Sequence, residues 1–249
     1  MTAREMIHIV QQQLALDLNC VPEDLKGEQD MILFRETRDN PGRRPFPRGE
    51  QHFEMLSMGR SIVVSATPKI LEYVKPLLQG KGRDEAFSLP FICGHSLYYL
   101  PDLAQIQLLA PPEGYSYETV EQEDIPALYR HEGFQHGLQY DPEHLRPDVL
   151  ASLAKKDGFP VGIAGASRDC AMMWQVGMDV LPSHRGHGLA SYLISRLTLE
   201  TLHRGFVPYY ETASSNIASQ RVAHRAGFYP AWMCAYSGRF GGLETLPTD

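Results

Sequence analysis

The chain has 249 residues, 43% of them hydrophobic and 21% charged, an ordinary globular composition that excludes disorder, collagen-like repeats and a long coiled coil. Its formal net charge is -7, from 23 basic and 30 acidic side chains, which argues against nucleic-acid binding through bulk phosphate attraction. Four cysteines, Cys20, Cys93, Cys170 and Cys234, stand without a CxxC pair or a disulfide-framework spacing and read as reduced thiols.

From Met1 to Asn19 the chain carries Arg4, Glu5 and Asp17 within an amphipathic pattern, which fits a folded helix (Ala3 to Leu16) better than the apolar centre of a signal peptide. No window approaches the ~18 consecutive apolar residues of a membrane span. The expectation is a cytoplasmic protein that binds neither membrane nor nucleic acid. A short strand follows near Met31 to Phe34, then an aperiodic loop bearing Arg38, Arg43, Arg44 and Arg48 among three prolines. That loop reads either as a solvated connection or as a mobile basic arm near an anionic ligand. His52 to Ser57 and Ser61 to Ala66 read as strands, and Pro68 to Leu78 as a helix with proline in its first turn.

Pro111-Pro112-Glu113-Gly114 breaks the pattern and marks a boundary between an N-terminal α+β domain, residues 1–110, and a second domain, residues 114–249. Beyond it come a strand at Tyr115 to Val120, a helix at Glu123 to His131 and a second helical stretch near Pro142 to Leu145. Val149 to Ala154 and Phe159 to Ala166 then form a hairpin around Asp157-Gly158. A strand from Cys170 to Leu181 enters a loop with Gly186 and Gly188, and a helix runs on to about Arg204, where Gly205 stops it. Val207 to Thr212 reads as a strand, Asn216 to Ala226 as a helix and Phe228 to Tyr236 as the last strand.

The chemistry concentrates in the strand-to-helix junction Ser183-His184-Arg185-Gly186-His187-Gly188-Leu189-Ala190. Backbone N–H groups at a helix N-terminus, reached through two glycines, suit a phosphate or pyrophosphate, and Arg185 adds a charged donor. The loop is neither GxxxxGK[ST] nor GxGxxG, because Ser191 fills the slot of the third glycine. His184 and His187, with His131, His136 and His203, show no metal-ligand spacing, so no metal is expected.

The pattern Arg-x-x-Gly-x-Ala at Arg185, Gly188 and Ala190 resembles motif A of the GNAT family of N-acetyltransferases. The strand before it, the helix after it and the downstream run Asn216-x-x-Ser219-x-x-x-Ala223-x-x-x-Gly227-Phe228 resemble that family in the same order. The resemblance implies an α/β fold of the α+β kind: a mixed, splayed β-sheet flanked by helices, preceded here by the N-terminal α+β domain, itself a candidate degenerate copy. It implies acetyl-CoA as co-substrate, with backbone groups of Met178 and Val180 on the pantetheine. The amides of Arg185, Gly186, His187, Gly188, Leu189 and Ala190 would hold the pyrophosphate, and Asn216 and Ser219 would contact the cofactor from the next helix. Asn216 also reads as a helix N-cap on local grounds.

The acceptor implied is a small-molecule or protein amine, and a homodimer is compatible with the sequence. Two positions depart from the family pattern: its usual Tyr falls on Ala223, and its frequent strand Glu falls on Gln175, whose amide accepts no proton at neutral pH. Gln175 is left to position water or substrate. Replacement candidates are Tyr209, Tyr210, Glu211 and His224, with Tyr209 and Tyr210 on opposite faces of their strand and Glu211 on the face of Tyr209. The alternative to an N-acetyltransferase is an acyl-CoA-binding sensor or regulatory module without turnover, and a third reading is a structural reuse of the fold.

Overall fold

A computed structural model describes residues 1–27 and 29–238; the rest of the domain expected to end at residue 249 lies outside the described residues. In chain order the elements are α1 (Ala3–Leu18), α2 (Pro22–Leu25), β1 (Ile32–Glu36), β2 (Phe53–Ser57), β3 (Ile62–Ala66), α3 (Pro68–Leu78), α4 (Arg83–Phe87) and β4 (Ile92–Pro101). They continue as β5 (Ser116–Glu121), β6 (Asp148–Lys156), β7 (Phe159–Arg168), β8 (Met173–Val180), α5 (Leu189–His203), β9 (Val207–Ala213), α6 (Ile217–Arg225) and β10 (Phe228–Gly238).

The helix expected at Glu123 to His131 is present as a 3-10 helix over Gln122–Arg130, and Pro126 within it has no N–H for an α-helical bond. Pro142 to Leu145 forms turns and bends, not a helix. There the Asp141 carboxylate accepts the Glu143 N–H at 3.0 Å, and Pro147 disfavours helical geometry at Arg146.

The chain compacts into two units that are not sequential. One holds Met1–Val10 and Tyr98–Pro230; the other holds Gln11–Leu97 and the segment from Ala231. This partition differs from the division expected near residue 110, for reasons visible in the pairing. The end of β10 joins β2, with Met233 opposite Ser57 and Ala235 opposite Met55. At the end of β4, Tyr98 stacks on Tyr209 and Tyr99 meets Tyr210 edge-on, so these residues belong with the downstream strands.

In the unit of Gln11–Leu97, the strand order is β1-β3-β2-β10, with β1 parallel to β3 and the other pairs antiparallel. Ile70, Val74 and Leu78, spaced by four along α3, pack on Phe53, Met55, Ile62 and Val64. Three arginines of the loop between β1 and β2 are held by partners within this unit, while Pro41, Gly42 and Pro47 are exposed. Arg44 Nε lies 2.5 Å from Asp17 Oδ2 with both side chains buried, Arg43 pairs with Asp39 at 2.7 Å, and Arg48 donates to the Asp17 carbonyl.

In the unit of Tyr98–Pro230, the strand order is β9-β8-β7-β6-β5, with β8 and β9 parallel and the rest antiparallel. The mixed sheet flanked by helices is therefore present. Asp157 and Gly158, both at positive φ, close the β6–β7 hairpin as their sequence demands. Helix α5 packs across β6, β7, β8 and β9 through Leu189, Leu193, Ile194 and Leu197. It ends at Gly205 (φ +85°), where Phe206 N–H reaches the Thr201 carbonyl at 3.2 Å. Among the described residues, no helix is long and apolar enough to cross a membrane.

Candidate active site

Strands β8 and β9 are paired from Met173 opposite Val207 to Val176 opposite Tyr210, and there the pairing ends. β8 continues to Val180 and β9 to Ala213, so the two strands part at Gly177 and Glu211. Leu181 N–H bonds the Val161 carbonyl, and Asp169 N–H bonds the Met173 carbonyl, which makes the odd-numbered residues of β8 the hydrogen-bonded partners of β7. Alternation then turns the main-chain groups of the even-numbered residues toward β9. Beyond the fork these belong to Met178 and Val180, which thus face a cleft of about 830 Å³. A strand edge without a partner strand is a template for an extended, amide-bearing ligand.

At the far end of β8 the chain turns through Pro182–His184 and two glycines at positive φ, Gly186 (+82°) and Gly188 (+84°), into α5. A side chain at either position would strain the backbone. Gly188 caps the helix, and its carbonyl accepts the first α-helical bond, from Tyr192 at 3.1 Å. The N–H groups of Leu189, Ala190 and Ser191 therefore lack intrahelical acceptors, and these three residues line the cleft at the positive end of the helix dipole, an arrangement that suits an anion. Arg185 braces this turn, its Nε donating to the Val180 carbonyl at 2.9 Å. His187 Nδ1 lies 3.3 Å from the His184 carbonyl.

Asn216 Oδ1 accepts the Ser219 N–H at 3.1 Å, so Asn216 is the N-cap of α6, and it also lines the cleft. Ser219 Oγ lies 2.6 Å from the Tyr210 hydroxyl, and burial pushes the Tyr210 pKa up, which keeps its proton in place.

The odd-numbered side chains of β8 stand on the other face of the sheet, where a polar row crosses three paired strands: Asp148, Ser167 and Gln175. The segment before β6 lies over this face. It is admitted by Gly165 and Gly177, where an added Cβ would come within 1.8 Å of the Gly137 carbonyl oxygen and 2.0 Å of that of His136. Asp148 Oδ2 anchors this segment by accepting Gln139 N–H at 2.8 Å and the Tyr129 hydroxyl at 2.9 Å. Burial is the main cause that raises the Asp148 pKa, and those two bonds oppose it. Arg146 Nη1 donates to Gln175 Oε1 at 2.9 Å and stands 3.6 Å from the Asp169 carboxylate.

Of the three residues expected to act on protons or substrate, the structure brings Gln175 and Glu211 to the cleft but not Tyr209. Tyr209 shares the face of Gln175, its register partner, yet it is 0% exposed and its hydroxyl donates to Asp169. That bond occupies the hydroxyl, and Tyr210 stands in the cleft lining instead. The cofactor residues expected from sequence, Met178, Val180, Arg185, Gly186, Gly188, Leu189, Ala190, Asn216 and Ser219, all line the one cleft. His187 is exposed beside it on the loop. Arg146, Asp148 and Asp169 escaped sequence reasoning because only strand register brings them to Gln175. Among the described residues, no group of three or more His, Cys, Asp or Glu side chains could hold a metal ion.

Residues 107–228 match the model of the Acetyltransferase (GNAT) family. Among solved structures, a GCN5-related N-acetyltransferase-like protein from Streptococcus suis is 15% identical, covering 73% of this chain and 72% of that one at a TM-score of 0.46. A GCN5-related N-acetyltransferase from Kribbella flavida is 19% identical, covering 63% and 62% at a TM-score of 0.45. A Salmonella typhimurium protein solved with its cofactor acetyl-CoA is 17% identical, covering 50% and 92% at a TM-score of 0.35. No curated protein matches the chain.

Proposed function

Residues 107–228 belong to the GNAT family of acetyltransferases, and on that premise we propose that this protein is an acetyl-CoA-dependent N-acetyltransferase acting on an amine. The observation that carries the reading is the fork between β8 and β9 opening onto a glycine-rich helix N-terminus, so that one cleft is lined by an unpaired strand edge and by the first residues of α5. Pantetheine amides suit the freed groups of Met178 and Val180, except the Val180 carbonyl, which Arg185 holds. The pyrophosphate suits the N–H groups of Gly188, Leu189, Ala190 and Ser191. Asn216 and Ser219 flank the arm from α6.

Acetyl-CoA supplies the acetyl group as a thioester, whose C–S bond breaks as the acceptor nitrogen forms the new C–N bond. Glu211, just past the fork, accepts the amine proton, and the departing thiolate takes its proton from solvent. The acceptor is a small-molecule or protein amine, and the cytoplasmic setting expected from the sequence belongs to the same proposal.

Calorimetric titration with acetyl-CoA, with CoA and ADP as competitors, tests the site. Binding on the order of micromolar, about -8 kcal/mol, is expected, and Gly188→Glu should abolish it by setting a carboxylate against the pyrophosphate at a φ of +84°. Binding that survives the substitution would sink the loop assignment. An amine panel followed by thiol release then separates a transferase from a sensor. The Gln175 and Ala223 departures favour the sensor as second reading, and it predicts binding without turnover.

A further inference from the structure

Gln175 sits on β8 one pair short of the fork, on the face that also carries Glu211. Its Oε1 accepts from Arg146 Nη1 at 2.9 Å. A guanidinium has donors only, so the amide must present its oxygen to Arg146, and this fixes which end is which. The NH2 of the same planar group is turned away from Arg146, and it has no hydrogen-bond partner among the described residues, while Gln175 lines the cleft.

Arg146 is itself held. The Asp169 carboxylate lies 3.6 Å from its Nη1, and the Asp169 side chain is 0% exposed. Ser167 Oγ donates to Asp169 Oδ1 at 2.9 Å, and the Tyr209 hydroxyl donates to Oδ2. The network therefore runs from Tyr209 to Asp169 by hydrogen bond, from Asp169 to Arg146 by ion pair and from Arg146 to Gln175 by hydrogen bond, and it ends on the Gln175 NH2, on a residue that lines the cleft.

Resting on the transferase reading above, we infer that Gln175 donates a hydrogen bond to the acyl carbonyl oxygen during transfer, and that Arg146 is the positioning residue that holds its amide in this sense. When the acceptor nitrogen bonds to the carbonyl carbon, the carbonyl π pair moves onto oxygen, and it returns as the C–S bond breaks. A neutral N–H stabilises that charge without losing its proton, whereas a carboxylate at this position would repel it. Gln175 is thus a donor, complementary to the proton acceptor Glu211 across the fork.

Isotope-edited infrared spectroscopy of bound acetyl-CoA labelled with 13C at the carbonyl reads this bond directly, since a donor lowers the carbonyl stretch. The parent protein should show the lowered stretch. Gln175→Ala and the isosteric Gln175→Glu, which keeps the Arg146 contact, should lose it while binding CoA with unchanged Kd. Arg146→Ala should lose it too, and Arg146→Lys, which still donates to Oε1, should largely restore it. On an amine that turns over, Gln175→Ala should lower kcat on the order of 100-fold with little change in KM for acetyl-CoA.

An unshifted carbonyl in the parent, or a lowered stretch that persists in Gln175→Ala, overturns the inference. A raised KM for the acceptor with an unaltered carbonyl would overturn it as well, by making Gln175 an acceptor-binding residue. Absence of acetyl-CoA binding to the parent overturns the transferase reading itself, so the two failures are distinguishable.

Discussion

Tyr209→Phe removes one of the donors that hold the buried Asp169 carboxylate, and a charged acceptor left short of a donor in a dry setting costs about 1–3 kcal/mol. Urea denaturation should show that loss, with CoA affinity unchanged because Tyr209 lies outside the cleft lining. His52 is a second residue with a measurable signature. Burial and the nearby Arg48 and Arg43 charges lower its pKa to about 4, so the folded protein keeps it neutral where the unfolded chain takes up a proton. The stability this contributes is full above about pH 6.5 and is lost as pH falls toward 4. His52→Gln should therefore flatten the fall in denaturation midpoint between pH 7 and pH 5. Buried Glu54 has its pKa raised and acts with the opposite sign, losing stability as pH rises through its folded pKa. At this scale the glycine turn before α5 was legible because Gly186 and Gly188 accept positive φ on local grounds. The face of Tyr209 was legible from alternation, but its partner was not, because Asp169 reaches it only through tertiary pairing 40 positions away.

The glycines of β7 and β8 act on whole elements. An alanine methyl at Gly165 or Gly177 would meet main-chain oxygens of residues 137 and 136, which cannot swing aside as a flexible side chain would. Gly165→Ala and Gly177→Ala should each destabilise the protein by about 1–3 kcal/mol and raise amide exchange across residues 134–139. Asn216→Ala, by removing the α6 cap, should cost about 1 kcal/mol and weaken acetyl-CoA binding together, since the same side chain lines the cleft. Helix α3 was readable from end to end, starting at Pro68, and the β6–β7 hairpin was readable at its Asp157-Gly158 turn, although both strands run on beyond the residues expected. The stretch at Pro142 to Leu145 misled because its spacing is helical, while the Asp141 side chain and Pro147 hold it in turns. The fork lay beyond sequence alone: nothing in the composition of β9 says that its pairing stops at Tyr210.

Interleaving of the chain governs behaviour at the largest scale. A fragment spanning residues 114–249 looks like a domain in sequence, yet it would carry β10 without β2 and lack Tyr98 and Tyr99 beside β9. Such a fragment is expected to aggregate or to lose a cooperative thermal transition that the full chain retains, as size-exclusion chromatography and calorimetry would show. The Pro-Pro break at 111 punctuates the sequence where local propensity changes, whereas compaction follows strand pairing, and only the former is written locally. The pairing of β2 with β10 also sets a clock on biosynthesis. β2 and β3 leave the ribosome more than 160 residues before β10 does, and at about 5–20 residues per second that interval is on the order of 10 to 30 s. Throughout it the nascent chain displays Phe53 to Ser57 along an open edge, an aggregation-prone template that a translation pause upstream of Phe228 would prolong and a holding chaperone would mask.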